Sequence, residues 1–286
     1  MTFPDAAAPL RAEIETALDL VPLLISAGDL RRINIGLRAG AAALADDGLA
    51  PSIRLFQGMV SAHHHMLHES LQAVLGNRVA HGLFAGMELA PGMVGSASLP
   101  RLIGSYEDEL QPLLAAIVPS HARVVDIGAA EGWYVVGLAR RFGVPVLGFD
   151  IEAIAREMTL RNARTNGVAE LVAVEGECAP ARLRALAEPG TLFIIDIEGA
   201  EAALFAAVEP TDLAAADFVI ETHGRSALAL VDRFATTHDV TLIWPSGRSI
   251  ASYPVLRRLS EIDRAVALWE GRGNEPWIHC ASRHER

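Results

Sequence analysis

Four residues suited to acid–base or metal chemistry follow two apolar segments of the chain. Asp196 and Glu198 come directly after the apolar run in TLFIIDIEGAE, and Glu221 and His223 lie in FVIETHG. A histidine can act as a general base on a hydroxyl when a carboxylate orients it. Alternatively, Asp196, Glu221 and His223 could hold a divalent metal such as Mg²⁺, which would bind the oxygens of an acceptor. A third interpretation is that the acids cap helices and that His223 is an ordinary loop residue.

A glycine turn lies in the segment VVDIGAAEGWY, residues 124–134. Gly128 permits a tight turn and close approach of a ligand, and Gly132 lies where a helix begins and free N–H groups are available. The spacing differs from the G-x-G-x-x-G of dinucleotide-binding proteins, and Asp126 precedes the first glycine. A carboxylate repels a pyrophosphate but attracts the ammonium and sulfonium groups of S-adenosylmethionine (SAM). The segment therefore predicts SAM binding, with a functionless turn as the alternative.

Further candidates for SAM binding follow the next two predicted strands. Asp150, in LGFDIE, lies 22 residues after Gly128 and can accept hydrogen bonds from both ribose hydroxyls. Glu177, in VEGEC, could meet the adenine amino group or be a solvated loop residue. Tyr106 and Glu107 are candidates for the methionine end of SAM. The predicted cofactor-binding residues are Asp126, Gly128, Ala130, Gly132, Asp150, Ile151, Glu177, Asp196 and Tyr106.

The elements that must position these residues begin after Pro100, where aliphatic runs alternate with amphipathic segments. Strands are predicted over residues 123–127, 144–149, 171–174, 192–195, 218–220, 240–243 and 277–280. Helices are predicted over 132–142, 153–166, 179–187, 200–208, 226–236 and 254–271. This alternation predicts an α/β fold with a doubly wound, mostly parallel seven-stranded sheet, whose last strand is often antiparallel. Adjacent strands lie about 5 Å apart, so residues at their carboxyl ends converge on one pocket.

Residues 1–100 have a different pattern, which predicts a helical N-terminal region followed by a catalytic domain over 101–286. Apolar residues at helical spacing indicate helices over 7–27, 30–45 and 53–75. The Gly- and Pro-rich stretch 81–100 is predicted to be a loop that covers the acceptor as a lid. The histidines of HHHMLH, residues 63–68, are interpreted as surface or interface residues rather than a metal site, because no third ligand accompanies them.

Composition limits the classes of partner. The formal net charge of −11 disfavours nucleic acid and anionic membranes as partners. The two cysteines are too few for a disulfide framework, and no signal peptide or membrane-spanning run is recognisable. We therefore expect a cytoplasmic protein that acts on a small-molecule acceptor, with homo-oligomerisation left open.

The segments VVDIGAAEGWY, FDIE, IIDIEGAE and IETH together resemble the FkbM-type SAM-dependent methyltransferases. The resemblance covers roughly residues 105–225, and its most specific part is the D-x-E-G-A-E motif. It differs at the second strand, where the family's Glu-Pro is Asp150-Ile151. The resemblance implies a class I, Rossmann-like fold and O-methylation of a sugar or other small-molecule hydroxyl. The rival interpretations are an NAD-dependent oxidoreductase and a non-catalytic binding module with the same fold.

Overall fold

The structure is a computed structural model, which describes residues 49–89, 97–223, 226–245, 247–270 and 276–284. The chain forms two compact units, residues 1–67 and 68–286. Helix α1, Leu49–Leu75, confirms the helix predicted over 53–75. The helices predicted over 7–27 and 30–45 lie outside the described residues, and the predicted domain division at residue 100 remains a prediction.

Within the described residues, seven strands form a single sheet. They are β1 (Arg123–Ile127), β2 (Val146–Phe149), β3 (Val172–Glu175), β4 (Thr191–Ile195), β5 (Asp217–Glu221), β6 (His238–Ile243) and β7 (Trp277–Ser282). All seven predicted strands are present, with ends that differ by two residues or fewer. The reason for this agreement is burial: β4, for example, is buried at every position, as expected for a strand that is covered on both faces.

The strand order is β3-β2-β1-β4-β5-β7-β6, with β7 antiparallel to both of its neighbours. The pairs among β1 to β5 are all parallel, and Val124 of β1 lies opposite Val146 of β2 and Leu192 of β4. This order confirms the predicted class I methyltransferase-like fold. From β1 the chain adds β2 and β3 on one side, and it then returns to add β4 on the other side of β1. The gap between β1 and β4 is therefore a topological switch point, and open α/β sheets bind ligands outside the carboxyl ends of the strands at such a point.

Helices connect the strands largely as predicted. They are α2 (Ser98–Ile103), α3 (Gln111–Ile117), α4 (Trp133–Phe142), α5 (Ala153–Thr165), α6 (Pro180–Leu186), α7 (Glu201–Ala206), α8 (Ser226–Phe234) and α9 (Glu261–Ala267). Helices α2 and α3 were not predicted. Among the described residues, no helix is both long and apolar enough to span a bilayer.

The helix predicted over 254–271 is wrong as a single element. A 3₁₀ helix, Pro254–Arg258, is followed by extended backbone at Leu259 and then by α9. Ser260 caps α9, because its hydroxyl accepts a hydrogen bond from the Asp263 N–H at 3.2 Å. Serine is strongly favoured at such a cap, so the polar residue inside the apolar pattern marks a new helix start.

The core between the sheet and its helices is aromatic near β4 and β5. The rings of Phe193 and Phe218 stack with centroids 4.9 Å apart, and Phe205 and Phe234 pack edge-on against each other at 5.1 Å. Such contacts fix the positions of β4 and β5 relative to α7 and α8. The strand ends that carry the candidate site residues are therefore held by rigid elements.

Candidate active site

A cavity of about 920 Å³ opens at the carboxyl ends of β1, β2, β4 and β5. Its volume is in the upper part of the range usual for small-molecule sites. Nine of the predicted site residues line it: Tyr106, Gly128, Ala130, Asp150, Ile151, Glu177, Asp196, Glu221 and His223. Asp126 and Gly132 belong to the same turn but are not among the described lining residues.

The glycine turn is tightly constrained. Gly128 has φ +95°, and a Cβ there would lie 1.6 Å from the backbone oxygen of Asp196. Gly132 has φ +91°, and a Cβ there would meet the side chain of Thr159 at 2.8 Å. Both positions require glycine, because the turn packs closely between the end of β4 and α5 and leaves no space for a Cβ atom.

Asp126 lies beneath the turn. Its carboxylate is only 3% exposed and accepts a hydrogen bond from the backbone N–H of Val135, in the first turn of α4. Burial, and then the negative charge of Asp196, raise the pKa of Asp126 to about 8. Asp126 therefore holds the start of α4 in place, and its predicted role in cofactor binding remains a prediction.

Asp150 is held in a fixed orientation at the end of β2. Its Oδ2 accepts a hydrogen bond from the Ala130 N–H at 2.8 Å, and its Oδ1 accepts one from the Glu152 N–H at 2.8 Å. An ionised carboxylate can accept about four hydrogen bonds, so about two remain for a ligand. Ile151 follows with 74% exposure and gives the same wall an apolar surface.

Asp196, Glu221 and His223 converge as predicted. One possible ligand atom from each of them lies within 4.8 Å of the others. The Nε2 atom of His223 is 3.9 Å from Asp196 Oδ1 and 3.6 Å from Glu198 Oε2. Burial, and then the charge of Asp196, raise the pKa of Glu221 to about 10. Glu221 therefore keeps its proton at neutral pH, which avoids the repulsion that a second ionised carboxylate beside Asp196 would cause.

Glu201 is a site residue to which the sequence pattern gave no role. Its carboxylate is fully buried, and its Oε1 is 3.0 Å from Nδ1 of His223. The same oxygen accepts hydrogen bonds from the backbone N–H groups of Ile197 and Gly199, both at 3.2 Å. A carboxylate, when ionised, can only accept, so this contact favours the neutral tautomer of His223 that carries its proton on Nδ1. The last acid of the DIEGAE motif was the available signal.

The wall formed by the segment before β1 was predicted only in part. Glu107 is buried, accepts a hydrogen bond from the Tyr134 hydroxyl, and donates its own backbone N–H to Glu270 Oε1 at 2.9 Å. Glu270 also accepts from Arg248 Nη2 at 2.5 Å, yet burial raises its pKa to about 8. Glu270 and Arg101 line the cavity without any signal in the sequence, because they come from segments with no motif.

Backbone strain concentrates around the cavity. Three non-glycine residues of the described chain have positive φ: Glu107 (+47°), Ala130 (+45°) and Glu198 (+53°). All three line the cavity. Such conformations cost of order 1 kcal/mol each and are characteristic of functional sites.

The predicted lid is described only in part. Backbone N–H groups of Ala80 and His81 donate to the carbonyl oxygens of Leu102 and Ile103 at 2.9 and 3.0 Å, which ties the start of this loop to α2. Residues 90–96 of the loop lie outside the described residues. Its role as a lid stays a prediction.

No protein-family model matches the chain, and no curated protein matches it. The resemblance to the FkbM-type family therefore remains a prediction.

Solved structures of similar fold include several SAM-dependent methyltransferases. One is the O-methyltransferase TomG from Streptomyces achromogenes, involved in tomaymycin synthesis and solved with SAM: identity 16%, coverage 65% of this chain and 87% of TomG, TM-score 0.42. A SAM-dependent methyltransferase from Thiobacillus denitrificans, solved with S-adenosylhomocysteine, has 17% identity, coverage of 61% and 90%, and a TM-score of 0.35. The tRNA (uracil-54, C5)-methyltransferase of Pyrococcus abyssi has 16% identity, coverage of 62% and 38%, and a TM-score of 0.37. These likenesses are distant, and the fold assignment rests on the observed strand order.

Proposed function

We propose that this protein is a SAM-dependent methyltransferase that methylates a hydroxyl group of a small molecule. One observation carries the proposal. A single cavity holds both a fixed carboxylate suited to a ribose, Asp150, and an oriented imidazole suited to deprotonating a hydroxyl, His223. A binding module would need the first of these but not the second.

The charge of the cavity favours SAM over a dinucleotide. Eight carboxyl groups line it: Glu107, Glu131, Asp150, Glu177, Asp196, Glu198, Glu221 and Glu270. The pKa values of Glu221 and Glu270 are raised to about 10 and about 8, so these two add little negative charge at neutral pH. A pyrophosphate would be repelled there, whereas an ammonium and a sulfonium group would be attracted. When bound, SAM supplies a methyl group that is already activated by the positive sulfur, so the protein has only to align the acceptor and remove its proton.

His223 is the proposed general base. With the proton on Nδ1 beside Glu201, Nε2 is the basic atom of the ring and would take the proton of an acceptor hydroxyl. The imidazolium that results is stabilised by Glu201 on one side and by Asp196 and Glu198 on the other. The buried carboxylate of Glu201 is a positioning group, because it contacts His223 and not the cavity.

A divalent metal such as Mg²⁺ is the second way in which the same cluster could act. Asp196, Glu221 and His223 offer two carboxylates and one imidazole, which is a donor set that fits such an ion. The metal would orient the acceptor oxygens and lower their pKa. Because both roles use Nε2 of His223, the base and the ligand are exclusive alternatives. A turnover rate that survives EDTA would favour the base.

Calorimetric titration with S-adenosylhomocysteine and with NAD tests the proposal. We expect the wild-type protein to bind S-adenosylhomocysteine and not NAD. In Asp150→Ala the loss of charge-assisted hydrogen bonds to the ribose should weaken binding roughly 100-fold. Glu170→Ala, an exposed acid near the amino end of β3, is the matched control and should bind normally.

The catalytic half of the proposal needs turnover of SAM against a panel of hydroxylated small molecules. His223→Ala should bind S-adenosylhomocysteine as tightly as the wild type but turn over at least roughly 100-fold more slowly, as expected on removal of a general base. Binding of NAD with no affinity for S-adenosylhomocysteine would overturn the whole assignment. Unchanged turnover in His223→Ala would remove only the base.

A further inference from the structure

The cavity has one guanidinium among its described lining residues, that of Arg101. Eight carboxyl groups are among the lining residues, and Arg101 is paired with one of them, Glu131. A ligand that carries a carboxylate in addition to positive groups would be attracted by this guanidinium and repelled by ionised acids elsewhere in the lining. The wall that carries Arg101 is therefore the most favourable place for a ligand carboxylate.

Arg101 is held rigidly in the last turn of α2. Its Nη1 donates to Oε1 of Glu131 at 2.5 Å, and its guanidinium carbon lies 4.6 Å from the centroid of the Tyr106 ring. The side chain is 12% exposed, and its Nε has no hydrogen-bond partner among the described residues. Glu131 and the Tyr106 hydroxyl each interact with a donor that has five N–H groups, so the planar group is oriented in advance and retains donors for a ligand.

The position of Arg101 along the cavity agrees with this role. Glu131 belongs to the glycine turn between Gly128 and Gly132, so the guanidinium lies beside that turn. The carboxylate suited to a ribose, Asp150, lies at the end of β2 and is hydrogen-bonded to Ala130 of the same turn. A nucleoside held at Asp150 can therefore direct an attached amino-acid chain along the turn towards α2.

We infer that Arg101, oriented by Glu131 and Tyr106, binds the α-carboxylate of an amino-acid-bearing nucleoside and makes the cavity select such a ligand over its decarboxylated analogue. This inference rests on the proposed function and adds to it a selectivity for the carboxylate. Arg101 is a binding residue in this account, and Glu131 and Tyr106 are positioning residues.

The test compares two ligands that differ by the carboxylate alone: S-adenosylhomocysteine and its decarboxylated analogue S-adenosyl-3-thiopropylamine. Isothermal titration of the wild-type protein should show S-adenosylhomocysteine binding roughly 10- to 100-fold more tightly, as expected for hydrogen bonds between charged groups. Arg101→Met should lose that advantage while binding the amine within about threefold of wild type. Arg101→Lys should keep part of it, because an ammonium retains the charge but not the planar fork.

Controls separate this inference from misfolding and from the proposed function. Arg283→Met removes an exposed ion pair with Asp239 at the far end of the sheet and should change neither affinity. Retained binding of the amine by Arg101→Met shows that the variant is folded. Equal affinity of the wild type for both ligands, or an equal loss of both in Arg101→Met and Arg101→Lys, overturns the role of Arg101 alone. Failure of the wild type to bind either ligand overturns the proposed function and this inference with it.

Discussion

The ionisable side chains at the two ends of the sheet are arranged in opposite ways. At the amino ends of the strands, groups of opposite charge are paired: His121 Nε2 lies 3.1 Å from Asp217 Oδ2, and Arg123 Nη2 lies 2.9 Å from Glu188 Oε2. Burial opposes the charged forms of both His121 and Asp217. The hydrogen bond between these two residues outweighs burial, so the pKa of His121 is raised and that of Asp217 is lowered. This end of the sheet is arranged for stability.

At the carboxyl ends, groups of like charge are brought together. Burial and neighbouring acids raise the pKa of Asp126 to about 8 and that of Glu221 to about 10. Three strained backbone conformations lie around the same cavity. The raised pKa values and the strained backbone both cost stability at this end of the sheet, which is consistent with the proposed binding of a positively charged ligand there.

Substitution of the glycine that follows β1, compared with substitution of the glycine that ends α4, should give the largest difference. Gly128→Ala forces a Cβ to within 1.6 Å of the Asp196 oxygen at a position with φ +95°, and we expect a loss of about 4 kcal/mol in the free energy of unfolding together with loss of S-adenosylhomocysteine binding. Gly143→Ala, at φ +68° with no atom within 4 Å of the new Cβ, should lose only about 1 kcal/mol and bind normally. Urea unfolding and calorimetry measure both. Equal losses would show that the turn is not specially constrained.

The acids at the two ends of β5 should respond with opposite signs. Glu221→Gln retains a donor towards Asp196 and does not have to take up a proton on folding, so the ligand-free protein should gain about 1–2 kcal/mol at pH 8. Asp217→Asn weakens the pair with His121 and should lose about 1 kcal/mol at pH 6. Urea unfolding as a function of pH tests both variants. A loss of stability in Glu221→Gln would contradict the account of the carboxyl end.

The pH dependence of each effect follows from the direction of the pKa shifts. The folded pKa of Glu221 is raised from 4.5, so the protein loses stability as pH rises from about 4.5 towards 10, and the gain in Glu221→Gln grows over that range. The Asp217 contribution is present above pH 3.8 and is lost as pH falls through its lower folded pKa. The His121 contribution is complete below pH 6.5 and is lost as pH rises through its higher folded pKa. The loss in Asp217→Asn should therefore be greatest between about pH 4 and 6.5.

The smallest effect concerns strain at Ala130. Ala130→Gly removes a Cβ from a residue at φ +45° and should gain up to about 1 kcal/mol in the free energy of unfolding. Ala185→Gly, the same substitution at an exposed position of α6, should instead lose about 1 kcal/mol. Thermal unfolding of the two variants distinguishes them. A loss at both positions would mean that Ala130 is not strained.

The fold was predictable because its signals are local. Each strand is an apolar run bounded by polar or glycine residues, and burial on both faces makes such runs continuous. The break at Leu259 and Ser260 was missed, because one cap residue inside an apolar pattern is a weaker signal than the pattern itself. Helices α2 and α3 are six and seven residues long, too short for a clear helical period.

The site was predictable where residues follow strand ends and not elsewhere. Four predicted residues lie at or just after the carboxyl ends of parallel strands and line the cavity: Asp150, Asp196, Glu221 and His223. The contact of Glu201 with His223 depends on the path of the turn through Glu198 and Gly199, whose positive φ values no spacing rule supplies. Arg101 and Glu270 reach the cavity from segments far from the motifs. The burial of Asp126 reflects the depth of the turn rather than its sequence.

The position of β7 has a consequence for how the chain is made. This strand is the last of the seven in chain order, yet it lies between β5 and β6 and hydrogen-bonds to both. During synthesis β6 therefore emerges before the strand that joins it to the sheet, and β5 waits with an unpaired edge. Exposed edges of this kind promote association between nascent chains. The growing polypeptide therefore exposes the edge of β5 to other chains until β7 has been made.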